Sequence, residues 1–245
     1  MPSHLLHKKP HQRSIIYMKK VAIFDVDGTI FRSSLLIKLV EAFVVEKVFP
    51  STAKDGYALE HKLWLERKGT YDEYIEAVIE VFMEHIRGVS YTDFDKISKN
   101  IVDKHKDETY VYTRMLVRKL KKQGYFLLAI SQSPKGILDA FCKNLGFDKV
   151  YGRFYETDAD DHFTGKVAEL HLIANKANIV KRVVEKENLT LKGSVCIGDT
   201  EGDIPMLELV DNPICFNPNK KLYRIAKLNK WKVVVERKDV VYEIM

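Results

Sequence analysis

The sequence predicts an α/β fold: a mostly parallel sheet covered by helices on both faces, with an all-helical segment inserted after the first strand. Three observations carry this. Short apolar runs recur at 20–25, 125–130, 195–198, 214–217 and 231–235, each bounded by polar loops. Runs of this length, rich in β-branched and aromatic residues, mark buried strands. Helical patterns alternate with them, as in sheets whose strands run parallel. Between about residues 33 and 107 that alternation stops, and one helical pattern follows another.

Taken in order, residues 20–25 read as a buried strand running into the polar loop Asp-Val-Asp-Gly-Thr. Residues 34–48 are largely apolar, and 57–68 form an amphipathic stretch ending at Gly69. Thr70 followed by Glu73 is a capping box. It opens a helix with apolar residues at 71, 75, 78, 79, 82 and 86, which Gly88 ends. A further helix is expected over 93–106. A helix ending in Leu120-Lys-Lys-Gln-Gly124 leads into the second strand, 125–130. Ser133-Pro134 reads as a helix start, with serine as cap and proline in the first turn. Residues 149–167 read as a hairpin turning near Asp160, Asp161 and His162, and 170–187 as a helix. Strands at 195–198 and 214–217 follow. Asn217-Pro218 is expected to open another helix, and 231–235 is the last strand.

The 245 residues suffice for a large core without disulfide staples. Hydrophobic residues at 46% and charged residues at 30% exclude a disordered or low-complexity chain. The longest apolar runs fall far short of the ~18 residues of a membrane span. An odd count of three cysteines, Cys142, Cys196 and Cys215, points to a reduced, cytoplasmic chain. The net charge of +6 is concentrated: residues 1–20 hold Lys8, Lys9, Arg13, Lys19 and Lys20 with no acid, leaving only +1 for the rest. Residues 1–18 read as a loose extension whose His4, His7 and His11 are too scattered for a metal site. The basic stretch Lys220, Lys221, Arg224, Lys227, Lys230 and Lys232 reads as the wet face of one helix.

Four constellations carry chemistry. Asp25 and Asp27 follow the first strand two residues apart, so in an extended segment they face one site. Two adjacent carboxylates repel unless a cation compensates, which suits a hard, oxygen-bound ion such as Mg²⁺, or a nucleophile beside a proton carrier. An Asp-Gly turn with solvated acids is the other reading of these residues. Gly198-Asp199-Thr-Glu-Gly202-Asp203 follows the third strand and brings Asp199 and Asp203 to the same edge of the sheet, although Asp203 also suits a helix cap. Ser131-Gln132-Ser133-Pro134 lies between the second strand and a helix, where a hydroxyl and free amides bind anions. Ser131, with Gln132 beside it, is the candidate anion contact, and Ser133 the cap. Lys176 is the fourth, with Lys166 and Lys181 as competitors on composition.

The order DVDGT, serine after the next core strand, lysine, then GDTEGD resembles the four motifs of the haloacid dehalogenase superfamily. The separations of 45 residues from Ser131 to Lys176 and 23 from Lys176 to Asp199 are similar to those of its phosphoserine-phosphatase-like branch, as are Phe-Thr-Gly-Lys-Val at 163–167, Asn-Pro-Asn-Lys-Lys-Leu at 217–222 and the later Trp231. The resemblance implies a Rossmann-like core, 19–32 and 108–245, with a helical cap over 33–107. It implies an aspartyl phosphate on Asp25, and leaving-group protonation and water activation by Asp27. It assigns Mg²⁺ to Asp25, Asp199 and the Asp27 carbonyl, support to Asp203, and the phosphoryl oxygens to Ser131 and Lys176. Ser34 stands where those phosphatases carry a glutamate, and Gly202 where they carry an asparagine. Both departures weigh against phosphoserine itself. In the cap, His61, Trp64, Arg67 and Tyr71 read as surface or cap core rather than as substrate contacts.

The function so expected is Mg²⁺-dependent hydrolysis of a small phosphorylated metabolite, with no nucleic acid or membrane partner. A phosphotransferase or mutase shares both aspartates and differs in whether water or another acceptor receives the phosphoryl group. A nucleic-acid-binding protein acting through residues 1–20 would instead show salt-dependent binding and no hydrolysis.

Overall fold

The computed structural model describes residues 18–168 and 175–244. The expected extension before residue 18, and the start of the helix expected over 170–187, lie outside them.

Eight strands form one sheet in the order β4-β3-β2-β1-β5-β6-β7-β8. They are β1 (Lys19–Phe24), β2 (Phe126–Pro134), β3 (Lys149–Thr157), β4 (Phe163–Ala168), β5 (Leu189–Gly198), β6 (Asn212–Phe216), β7 (Lys232–Arg237) and β8 (Val240–Ile244). The six central strands, β3 to β7 across the sheet, pair in parallel, and β4 and β8 close the edges antiparallel. Strand order departs from β1 in both directions, so the carboxyl ends of β1, β2 and β5 border the crevice where open α/β sheets bind ligands.

Continuous apolar runs are explained by burial on both faces. Val21, Ala22, Ile23 and Phe24 are all fully buried. Ala22, Phe24, Leu127, Ala129, Val195, Ile197 and Phe216 enter one core, and Val21, Ile23, Leu128, Ile130, Cys196 and Cys215 the other. Side chains alternate between faces along a strand, and here each face has its own helices. The second core is covered by α7 (Lys176–Lys186), α8 (Ile204–Leu207) and α9 (Lys220–Asn229).

The first core is covered by α1 (Leu35–Val45), α2 (Asp55–Leu65), α3 (Tyr71–Ile86), α4 (Tyr91–His105), α5 (Val111–Lys122) and α6 (Lys135–Lys143). The first four of these, with a short 3₁₀ turn at Ser51–Lys54, are the helical insertion. Phe43, Phe49 and Phe82 are fully buried within it. The expected capping box is present: Glu73 N donates to Thr70 Oγ1 at 3.2 Å and Thr70 N to Glu73 Oε2 at 2.6 Å. Main-chain bonds tie the insertion to the β3–β4 turn, with Gly88 N donating to Phe163 O at 2.8 Å and Tyr91 N to Asp161 O at 2.8 Å. No helix among the described residues is long and apolar enough to cross a membrane. Cys142, Cys196 and Cys215 are all free and buried.

Several local expectations are corrected. β2 runs through Ser133 to Pro134, and α6 opens at Lys135 without a side-chain cap. Ser133 is not its cap, because its hydroxyl accepts from Leu36 N at 3.2 Å instead. The helix after β6 opens at Lys220, capped by Asn219, whose side chain accepts from Leu222 N at 2.9 Å. Asn217 adopts a left-handed φ of 44° that a helix cannot continue. Lys220, Lys221, Arg224 and Lys227 do lie on exposed α9 positions, but Lys230 is its left-handed C-cap and Lys232 belongs to β7. β8 was not expected, because its side chains are exposed throughout and carry no burial signal.

One long-range contact joins β7 to the start of α5. Tyr110 gives α5 no side-chain cap, and Glu236 from β7 supplies one, accepting from Val111 N at 3.1 Å and Tyr112 N at 2.8 Å. Its carboxylate also takes Arg32 Nη2 at 2.7 Å. Glu236→Ala leaves two helix amides without their acceptor and Arg32 with only its bond to Thr109 O. A loss of about 2–3 kcal/mol in urea unfolding is expected, with a smaller loss for Glu236→Gln, which keeps one acceptor oxygen.

Candidate active site

Asp25 and Asp199 stand at strand ends. Asp25 follows β1 directly, and its amide donates to Ile197 O at 2.9 Å, extending the β1–β5 pairing by one residue. Gly28 then turns the chain with φ +77°. A Cβ there would lie 2.2 Å from Asp199 Oδ2, so only glycine lets the Asp25–Thr29 loop pass this close to the loop after β5. Thr29 Oγ1 donates to Asp199 Oδ1 at 3.2 Å across the same gap.

Lys176 is the first residue of α7, behind the N-cap Asn175. Its buried ammonium lies 2.6 Å from Asp25 Oδ1 and 2.5 Å from Asp203 Oδ1. Asp203 is fully buried, and its Oδ2 accepts from Asp199 N at 2.9 Å and Thr200 N at 3.1 Å. It therefore fixes both the lysine and the loop that carries Asp199. Lys176, Asp25, Asp203 and Asp199 are thus brought together, whereas Lys166 is on β4 and Lys181 is exposed on α7.

Asp27 faces a different set of donors. Its Oδ1 accepts from Leu35 N, the first amide of α1, at 2.6 Å, and its Oδ2 accepts a short hydrogen bond from the Ser131 hydroxyl. Ser131 Oγ in turn accepts from Ser133 N at 2.9 Å. Gln132 borders the same cavity, and its Oε1 accepts from Arg153 Nε at 3.0 Å. The start of α1 is therefore capped by Asp27 and Ser133 rather than by Ser34, whose side chain makes no cap bond. Sequence reading missed this role of Ser133. A serine before a proline looks like a local cap, and no local pattern reveals a partner 97 residues away.

The electrostatics follow from gathering four carboxylates, two buried and two half-buried, around one buried ammonium. Burial pushes the Asp25 carboxyl up to about 7, with Lys176 opposing and Asp203 and Asp27 reinforcing. Burial also raises Asp199 well above its ordinary value, with help from Asp25 and Asp203. Asp27 is raised by burial, with Ser131 and Leu35 pulling it back. Burial pulls Lys176 down, but Asp203 and Asp25 more than offset this and hold it cationic. Such a site favours an added cation. Asp25 Oδ2 is buried with no hydrogen-bond partner. Asp25, Asp199 and Asp203 each offer a carboxylate oxygen, all within 4.8 Å of one another. Hard oxygen donors in this number fit a hard divalent cation. The Asp27 carboxylate is engaged instead by Leu35 N and the Ser131 hydroxyl.

Asp25, Asp27, Ser131, Lys176 and Asp199 border a cavity of about 160 Å³, closed on the insertion side by Tyr71, Asp72, Ile75 and Ile79 of α3. Ser34 is buried in its wall.

The chain is 24% identical over 237 residues to the phosphoserine phosphatase SerB1 of Mycobacterium tuberculosis, covering 95% of this chain and 76% of that one. It is 24% identical over 231 residues to a histidinol-phosphatase of Neisseria meningitidis, covering 89% and 99%. A solved phosphoserine phosphatase carrying an analogue of its phospho-aspartyl intermediate superimposes with a TM-score of 0.59 at 20% identity, covering 91% and 96% of the two chains. That likeness is one of fold: a Rossmann-like sheet with an inserted helical cap. The profile of haloacid dehalogenase-like hydrolases matches residues 22–208, which hold Asp25, Asp27, Ser131, Lys176, Asp199 and Asp203, so the chain is an enzyme of the haloacid dehalogenase-like hydrolase family.

Proposed function

We propose that the protein is a Mg²⁺-dependent phosphatase that hydrolyses a small phosphomonoester through an aspartyl phosphate on Asp25. The observation that carries this is the Asp25 carboxylate, held by Lys176 through one oxygen, unpartnered at the other, and flanked by Asp27 and Asp199. Similarity to a phosphoserine phosphatase and a histidinol-phosphatase supports it. The core is assigned to 19–32 and 108–245 and the cap to 33–107, and the buried free thiols fit a reducing, cytoplasmic setting.

The phosphoryl group enters the 160 Å³ cavity beside Lys176 and Ser131. Asp25 attacks phosphorus, and the leaving oxygen takes a proton from Asp27, whose raised pKa suits an acid. The now ionised Asp27 removes a proton from water, and the resulting hydroxide attacks the aspartyl phosphate, releasing phosphate and restoring Asp25. Lys176 and the Ser131 hydroxyl bind the phosphoryl oxygens, so that positioning and charge neutralisation supply most of the catalysis. Mg²⁺, bound by Asp25, Asp199 and the Asp27 carbonyl, would offset the repulsion between nucleophile and phosphate.

Chelation with EDTA is expected to abolish phosphate release from a small ester, and added Mg²⁺ to restore it. Activity that survives exhaustive chelation would exclude the proposed cofactor. The raised Asp25 and Asp199 set the pH dependence. Without metal these groups hold more protons at pH 6 than at pH 8, and a bound cation must displace them. Apparent Mg²⁺ affinity should therefore weaken as pH falls through about 7, with protons released on binding, as calorimetry in two buffers would register.

A further inference from the structure

The catalytic cavity, at about 160 Å³, is small for an ester of any size. Sites for small molecules usually enclose about 300–1,000 Å³. A second chamber of about 390 Å³ adjoins it and shares Tyr71, Asp199 and Thr200 as common wall. Five ring side chains border that chamber: His61, Trp64, Tyr71 and Tyr74 from the insertion, and Tyr110 from the core side.

The insertion rings edge the apolar core: Tyr74 is part of it, and Trp64 and Tyr71 pack against it. Phe43, Phe49 and Phe82 are fully buried, whereas His61, Trp64 and Tyr71 keep part of their surface open. The His61 ring stacks on Tyr74 with centroids 4.7 Å apart, Trp64 on Tyr74 at 5.7 Å, and Tyr71 lies tilted 5.3 Å from Trp64. Rings locked by one another present flat apolar walls with little conformational entropy left to lose. Tyr71 directly follows the N-cap Thr70, inside the Thr70–Glu73 capping box, so its place at the threshold is set by the start of α3.

We propose that this chamber is the leaving-group site and that its ring walls select a planar, aromatic leaving group over an aliphatic one of similar size. The proposal rests on the phosphatase reading and names its substrate class. The phosphoryl group sits with Lys176 and Ser131, the ester oxygen lies at Asp27, and the remainder of the substrate passes beneath Tyr71 to lie among Trp64, His61 and Tyr110. His61, Trp64 and Tyr71, read from sequence as surface or cap core, thereby become selectivity residues.

The chain has two tryptophans, Trp64 and Trp231, so Trp231→Phe leaves Trp64 as the sole indole reporter without altering the chamber. In that variant, benzyl alcohol should change the indole emission saturably, and glycerol should not. In the full chain, His61→Ala and Trp64→Ala should each lower the ratio of kcat/KM for benzyl phosphate over glycerol phosphate by about tenfold, chiefly through KM. The His61 variant covers the case in which Trp64→Ala does not fold. Emission that ignores benzyl alcohol at concentrations matching KM for benzyl phosphate, or an unchanged ratio in His61→Ala, would overturn the chamber assignment and leave the phosphatase reading standing. Failure of the unaltered protein to hydrolyse either ester would overturn the phosphatase reading, and the leaving-group role with it, even where Trp64 responds.

Discussion

Asp25→Asn is expected to abolish phosphate release, by at least about 10⁴-fold, while the protein stays folded. An amide is isosteric with the carboxylate but is too weak a nucleophile to take the phosphoryl group. The substitution also removes one of four clustered acids, and Lys176 keeps Asp203 at 2.5 Å. Unfolding should therefore change little, which separates loss of chemistry from loss of structure. Stopped turnovers of the unaltered enzyme should yield an acid-stable mass adduct on the peptide that contains Asp25, absent from the Asn variant. Turnover retained in the variant would mean that another group, or water directly, attacks phosphorus.

Lys176→Met should lower both activity and stability. Removing one preorganised donor to a developing phosphoryl charge costs about 10²–10³ in kcat. The stability effect has a different origin. Without the ammonium, Asp25 and Asp203 remain buried beside Asp199 with no positive partner, and breaking a buried pair in this way costs about 3–5 kcal/mol. That is a large share of the ~5–15 kcal/mol by which domains are stable. The pH dependence gives a check that a packing defect would not reproduce. Burial already raises the Asp25 carboxyl to about 7 with Lys176 present, and removing the lysine raises it further. A group with a raised folded-state pKa stabilises most below its unfolded value and loses that contribution as pH rises through its folded value. The Met variant should therefore be markedly weaker at pH 8 than at pH 6, with the difference read by urea unfolding at both. Equal destabilisation at both values would mean that Lys176 matters there through packing alone.

The acids at strand ends were readable because their placement follows from local signals. Asp25 and Asp199 each end an apolar run, and once those runs are parallel strands the topology brings their carboxyl ends to one crevice. The lysine was separable from Lys166 and Lys181 only by resemblance to family motifs, since its own sequence pattern is that of any solvated helix residue. The Thr70–Glu73 box was readable for the same reason as the strands, because both partners lie within one turn. Ser133, Glu236 and the ring chamber were not. Ser133 caps a helix 97 residues earlier, and Glu236 caps one more than 120 residues earlier. His61 and Trp64 from the insertion and Tyr110 from the core border one chamber.

By itself the sequence determined the parallel sheet, the helical insertion and the acids that converge at the sheet's carboxyl edge, because burial on both faces and turn chemistry are written within a few residues of one another. Only the tertiary structure decided which donors hold each acid and which rings wall the space beside them. Those pairings join residues far apart in the chain, and nothing in local composition encodes the distance between two surfaces that meet only when the insertion packs onto the core.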